Sequence, residues 1–205
     1  MKRIIIIGLT ILLLISCEQE SSKQGVVGST QPYSQMLVYP QKKPIESFQL
    51  TRQDAEGFNE KSFLGRWNLL FMGYTNCPDV CPTTLMDMAN IYKKINPELQ
   101  KKFQVIFLSV DPARDNLEHM ANYIDHFHDD FVAITGEKSE IDKLVFSIGG
   151  IYSLNSEDAE YYSVDHTGRI FIINPQGERF GIVTSEAMHS NDKSILVDEL
   201  NQLAR

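Results

Sequence analysis

Residues 68–82 read Asn68-Leu69-Leu70-Phe71-Met72-Gly73-Tyr74-Thr75-Asn76-Cys77-Pro78-Asp79-Val80-Cys81-Pro82. The unbroken apolar run from Leu69 to Met72 predicts a strand over residues 68–74 that is buried on both faces. Beyond Pro82, the residues Leu85, Met88, Ala89 and Tyr92 recur at three- and four-residue steps. That spacing marks one buried face of a helix, which ends before Pro97. A buried strand joined to a helix by a short connection opens a βαβ unit, and the downstream sequence keeps the alternation. Residues 104–110 read as a second buried strand and residues 131–135 as a shorter one. Between them Asn116 caps a helix with the apolar stripe Leu117, Met120, Ala121, Ile124 and Phe127. Residues 139–148 form a further helix stopped by Gly149-Gly150. The fold class is α/β.

Toward the N-terminus, residues 45–50 read as another strand. Pro32, Pro40 and Pro44 punctuate the approach to the folded part, which places the domain at residues 41–205. Glu18 to Gln31 is polar and small without an apolar period, so residues 17–40 are expected to form a flexible tether. Toward the C-terminus, residues 161–164 and 169–173 read as the two arms of a hairpin. Pro175-Gln176-Gly177 supplies a turn before a strand at 180–184, and an amphipathic helix around 194–203 closes the chain.

Met1-Lys2-Arg3 precedes a twelve-residue apolar run, Ile4 to Ile15. Spanning a bilayer needs about 20 residues, so residues 1–16 fit a secretory signal better. Leu14-Ile15-Ser16-Cys17 resembles the lipobox at which bacterial lipoproteins are cut and acylated, although Ile15 is a less usual residue there. Cys17 is therefore the expected lipidation site. The expected location is the bacterial cell envelope, with the protein anchored to a membrane through that lipid and facing the periplasm. A plain signal peptide with an incidental cysteine is the alternative. Cleavage before Cys17 removes Lys2 and Arg3, taking the 19 basic residues to 17 against 27 acidic ones. A chain this acidic argues against nucleic acid, which rewards clustered Lys and Arg.

With Cys17 assigned to lipid, Cys77 and Cys81 are the thiols of the folded part. They stand where a buried strand hands over to a helix. Unpaired backbone donors and the helix dipole there favour the thiolate, the form that attacks disulfides and binds metal. Pro82 suits the first helical turn, where its missing N–H is no loss. The spacing is C-x-x-x-C, not the C-x-x-C of a thioredoxin-like redox enzyme. From the pair alone, a structural disulfide, a redox pair and a metal site all stay open. His166 lies in or beside a turn leading into a strand, and alone it reads equally as an ordinary surface or core histidine.

Three segments together resemble the Sco/SenC family: Gly73 to Pro82, Val110-Asp111-Pro112-Ala113-Arg114-Asp115, and Val164-Asp165-His166-Thr167. They follow the family's order and spread over most of residues 45–184. The resemblance implies a thioredoxin-like fold, with a central mixed sheet flanked by helices, and a copper site made by Cys77, Cys81 and His166. It further implies a metallochaperone that helps assemble the copper centre of cytochrome c oxidase. The expected partners are then the apo-oxidase copper subunit or another copper carrier. Two thiolates and an imidazole suit Cu(I) and can also accept Cu(II). Three protein ligands would equally hold zinc with an open fourth position, so the resemblance is what favours copper. The alternative function on the same cysteines is an extracytoplasmic thiol–disulfide oxidoreductase that keeps the acceptor's cysteines reduced. In thioredoxin-like reductases a cis-proline faces the cysteine pair, and strand order places His166-Thr167 there instead.

Asp79 and Asp165 flank these ligands as candidates for orienting His166 or tuning the site's charge, with solvated turn residues as the other reading. Asp111 to Asp115 reads as a strand-terminating turn with an ion pair. His119, His126 and His128 lie near one helix end, where capping explains them better than a second metal site. Met86 and Met88 fit helix packing.

Overall fold

The computed structural model describes residues 33–155 and 162–205, so Cys17, the signal sequence and residues 17–32 of the expected tether lie outside the described residues. The described chain begins with β1 (Met36–Pro44), β2 (Gln49–Arg52), β3 (Gly57–Asn59), β4 (Trp67–Gly73), α1 (Val80–Lys94), α2 (Pro97–Gln100) and β5 (Phe103–Ser109). It continues with α3 (Leu117–Asp125), β6 (Val132–Thr135), α4 (Lys138–Ile148), β7 (Tyr152–Leu154) and β8 (Val164–His166). It closes with β9 (Ile170–Ile173), β10 (Glu178–Val183), α5 (Ser185–His189) and α6 (Ser194–Leu203). Eight strands form one mixed sheet in the order β1-β10-β9-β4-β5-β6-β2-β3, while β7 and β8 pair apart from it.

The centre of that sheet is the parallel pair β4 and β5, matched from Trp67 opposite Phe103 to Gly73 opposite Ser109. Leu70, Phe71, Met72, Ile106, Phe107 and Leu108 are all buried, which is why both segments read as continuous apolar runs. Full burial of each such side chain contributes about 1.5–3 kcal/mol before conformational entropy is charged. α1 crosses between the two strands and turns Cys81, Leu85, Met88, Ala89 and Tyr92 inward. These residues recur at helical spacing, so Cys81 belongs to the same buried stripe as the packing residues. The helix stops at Ile95, ahead of Asn96-Pro97, where the Asn96 side chain accepts the Glu98 N–H at 2.9 Å and starts α2. α4 ends at Gly149, whose φ of 80° is the left-handed conformation that glycine adopts without strain.

Four expectations need correction. The folded part begins ahead of residue 41, because β1 pairs with β10 from Met36, which is buried opposite Val183. Pro40 and Pro44 lie within β1, which is an edge strand and so has a side on which a missing N–H disrupts no ladder. Residues 45–48 are not strand: Ile45 and Phe48 are buried within the link from β1 to β2, and the strand is Gln49–Arg52. The hairpin partners are also different. Val164–His166 pairs with Tyr152–Leu154, and Ile170–Ile173 lies in the main sheet between β10 and β4. Residue 161 lies outside the described residues. Finally, α3 stops at Asp125, although Phe127 still packs inside.

Candidate metal centre

β4 ends at Gly73, and the chain turns through Thr75 to Pro78 before α1 begins at Val80. Cys77 lies in that connection and is half-buried, whereas Cys81, in the first turn of α1, is fully buried. Both are free thiols. They are in contact: the Cys81 N–H points to Cys77 Sγ at 3.5 Å, as the backbone donors at the start of a helix can. His166 arrives from a distant part of the chain at the end of β8. Its Nε2 lies 3.5 Å from Cys81 Sγ. The opposite ring nitrogen, Nδ1, lies 3.4 Å from the Thr167 carbonyl, so a proton on Nδ1 turns the Nε2 lone pair toward the thiols. Phe71 and Tyr74 meet the imidazole edge-on at centroid distances of 5.8 and 6.4 Å.

The two thiols differ electrostatically. Burial pushes Cys77 up, but the backbone N–H groups of Asp79, Cys81 and Val80 and the Cys81 thiol outweigh it, leaving Cys77 below the ordinary thiol value. Burial drives Cys81 far above that value, reinforced by Cys77 and the charge of Asp115. Burial lowers His166, against the opposing effects of the Thr167 carbonyl and the charge of Asp165. The two thiols are thus set apart, Cys77 ionising more readily than Cys81, while burial favours the neutral form of the imidazole. Among the described residues no group of three or more His, Cys, Asp or Glu side chains is set to enclose a metal ion. Cys77, Cys81 and His166 form a chain of contacts centred on Cys81.

Asp79 and Asp165 are both exposed, and neither side chain bonds to Cys77, Cys81 or His166 among the described residues. Asp79 acts on Cys77 through its backbone N–H, and Asp165 on His166 through charge alone. His128 is committed to structure: it stacks on Phe131 at 5.2 Å, meets Tyr92 edge-on and accepts the Asp130 N–H. His119 and His126 line a shallow groove with Met86, which is 45% exposed, while Met88 is in the core. Beside the thiols opens a larger groove of about 690 Å³, with Asp79, Val80, Ile151, Thr167, Arg169 and His189 on its walls.

The residue that sequence reading missed is Asp115. Only 1% exposed, it accepts Thr75 N–H at 2.9 Å, Thr75 Oγ1 at 2.6 Å and Ser109 Oγ at 2.6 Å, and so ties the start of the cysteine loop to the end of β5. The expected ion pair of this turn is present between Arg114 and Asp111. Nothing in the local sequence separates a buried Asp115 from a solvated one; the matched motif was the available signal.

The SCO1/SenC family model matches residues 39–204. Among relatives, the SCO2-like protein RT0576 of Rickettsia typhi is 31% identical over 87% of each chain. The human protein SCO1 homolog is 37% identical over 64% of this chain, which spans 44% of that relative's length. Among solved structures, ScoI of Bradyrhizobium japonicum with copper bound has a TM-score of 0.69 at 30% identity, covering 78% of this chain and 99% of that one. Apo Sco1 of Thermus thermophilus has a TM-score of 0.73 at 29% identity, covering 86% and 99%. The architecture is thioredoxin-like, a mixed sheet flanked by helices. On the strength of a match over nearly the whole described chain, this protein belongs to the SCO1/SenC family.

Proposed function

We propose that the protein is a copper carrier that takes the metal on Cys77, Cys81 and His166 and passes it to the copper centre of cytochrome c oxidase or to another carrier. The observation that carries this reading is the contact of Cys81 with both Cys77 and His166 Nε2, which unites two soft sulfurs and one imidazole from segments 85 residues apart. That donor set fits Cu(I) and tolerates Cu(II). The copper-bound relative, 30% identical, supports copper over zinc. Cys77 is half-buried and ionises more readily than Cys81, so it would meet incoming copper first; binding at Cys81 would form a copper–sulfur bond in exchange for the S–H bond, its proton passing to water, and His166 would add its Nε2 lone pair. The nearby groove is walled by Val80 and Thr167, the chain neighbours of Cys81 and His166, and offers a surface on which an acceptor can dock. Oxidase as the destination rests on family membership.

Protein purified with its thiols reduced should carry copper and, when stripped, take up one tight equivalent of Cu(I). Cys77→Ala or Cys81→Ala should abolish that uptake, and His166→Ala should reduce it to the weaker binding of two thiols. Normal binding in all three variants would sink the assignment. Lipid attachment at Cys17 is part of the same proposal: Cys17→Ala should move the protein from the membrane to the soluble fraction, and unchanged fractionation would rule the anchor out.

The asymmetry of the thiols favours a second reading, a thiol–disulfide oxidoreductase in which Cys77 attacks an acceptor disulfide and Cys81 resolves the mixed disulfide. Its mark is a trapped mixed disulfide in Cys81→Ser with reductase activity that survives His166→Ala. A carrier loses function when His166 is removed.

A further inference from the structure

The turn at residues 111–115, which follows β5, touches both halves of the centre without contributing a ligand. At one end, the buried Asp115 carboxylate holds the backbone and hydroxyl of Thr75, two residues before Cys77. At the other end, Asp111, also 1% exposed, accepts from Arg114 Nε and from the Tyr162 hydroxyl. Arg114 Nη1 donates to the Tyr162 carbonyl at 2.9 Å, and its guanidinium lies 3.6 Å from the Tyr162 ring centroid and 5.4 Å from that of Tyr74. Tyr162 stands four residues before His166, just ahead of β8. Two buried carboxylates in five residues are an expensive way to close a turn, because each must be fully hydrogen-bonded to be tolerated. Both satisfy that need by grasping a segment that leads to a ligand.

We infer that residues 111–115 form a two-armed positioning device for the metal centre: Asp115 sets the cysteine loop through Thr75, and Asp111 with Arg114 sets the His166 strand through Tyr162. This rests on the reading of Cys77, Cys81 and His166 as copper ligands. Asp115 and Arg114 are positioning residues and touch no metal. The arms leave the turn at opposite ends and reach different segments, so each can be cut alone. Thr75→Val removes the hydroxyl bond to Asp115 and keeps the N–H bond. Arg114→Gln removes the stacking on Tyr162, the guanidinium bond to the Tyr162 carbonyl, the ion pair with Asp111 and the more distant contact with the Tyr74 ring, and Tyr162→Phe is the narrower cut of this arm.

Each variant should bind copper about tenfold more weakly, as changes to groups that orient metal ligands do. Their Cu(II) spectra should differ. Arg114→Gln should weaken the histidine nitrogen coupling in electron paramagnetic resonance and keep the thiolate charge-transfer band; Thr75→Val should shift that band and keep the coupling. In a His166→Ala background, whose residual Cu(I) binding by the two thiols is measurable, Arg114→Gln should cost nothing more, while Thr75→Val should still cost about tenfold. If both losses persist unchanged in that background, or if neither spectrum changes and the losses follow only the thermal midpoint of the apo protein, the inference is overturned. Tyr162→Phe, which keeps the stack and removes the hydroxyl, carries the histidine arm by the same readouts if Arg114→Gln fails to fold. Normal copper binding in all three ligand variants overturns the ligand reading and this inference together. Loss of binding in those variants, with the Arg114→Gln effect additive to that of His166→Ala, overturns this inference alone.

Discussion

The two halves of the centre are built on different foundations. The cysteine half rests on β4 and β5, the long buried pair at the centre of the sheet, with Phe71 and Phe107 beneath it and Cys81 inside the packed face of α1. The histidine half hangs on β7 and β8, three residues each, paired only with one another and with Ser153 and Asp165 in solvent. Its attachments to the body are Val164, which is buried against the core, the edge-on contact of His166 with Phe71, and the polar links from Tyr162 to Asp111, Arg114 to Tyr162, and Tyr152 to Asp142. Cys81 is thus placed by close packing, which tolerates little displacement. His166 sits on a short two-stranded unit held largely by hydrogen bonds and stacking, which open locally at smaller expense.

The sharpest way to break the contrast is to add one methyl group to each half. At Gly73 a Cβ would lie 2.8 Å from both Cys81 Sγ and Phe107 Cε2. Gly73→Ala should therefore destabilise the protein by about 1–3 kcal/mol in urea unfolding and impair copper uptake. A stable variant with normal uptake would show that the cysteine half is less tightly packed than the structure implies. Next in size is the difference between the thiols. Alkylation near neutral pH, followed by peptide mass spectrometry, should label Cys77 at least about tenfold faster than Cys81, because Cys77 is reachable and ionises more readily. Equal rates would mean that the first turn of α1 opens as easily as the loop before it. The smallest effect belongs to the histidine half. A Cβ at Gly168 meets nothing within 4 Å. Gly168→Ala should leave stability within about 0.5 kcal/mol and copper affinity unchanged; a large loss of either would mean that this half is also tightly packed.

The same division explains what could be read before the fold was seen. Leu69 to Met72, the α1 stripe, residues 104–110, α4 and α6 were legible because burial on a regular element writes a period into the sequence. β1 was missed because its prolines read as punctuation, although an edge strand accommodates them. β8 was given the wrong partner because a three-residue strand has too little pattern to specify pairing, and β7 lies across the segment 156–161 from it. Of the candidate site, Cys77, Cys81 and His166 were singled out by motif; Thr75 and Asp115 lie in the same motifs but were given no part in the site, and Tyr162 lies in none.

The sequence by itself determined the α/β class and the family, and it singled out Cys77, Cys81 and His166 as candidate donors, because those follow from local periodicity and from short motifs. Tertiary structure alone decided that Cys81 meets His166 at 3.5 Å, that Cys77 and Cys81 hold their protons unequally, and that residues 111–115 reach both halves of the centre. Each of these depends on burial or on contacts between segments distant in the chain, and neither leaves a period in the sequence that could be read.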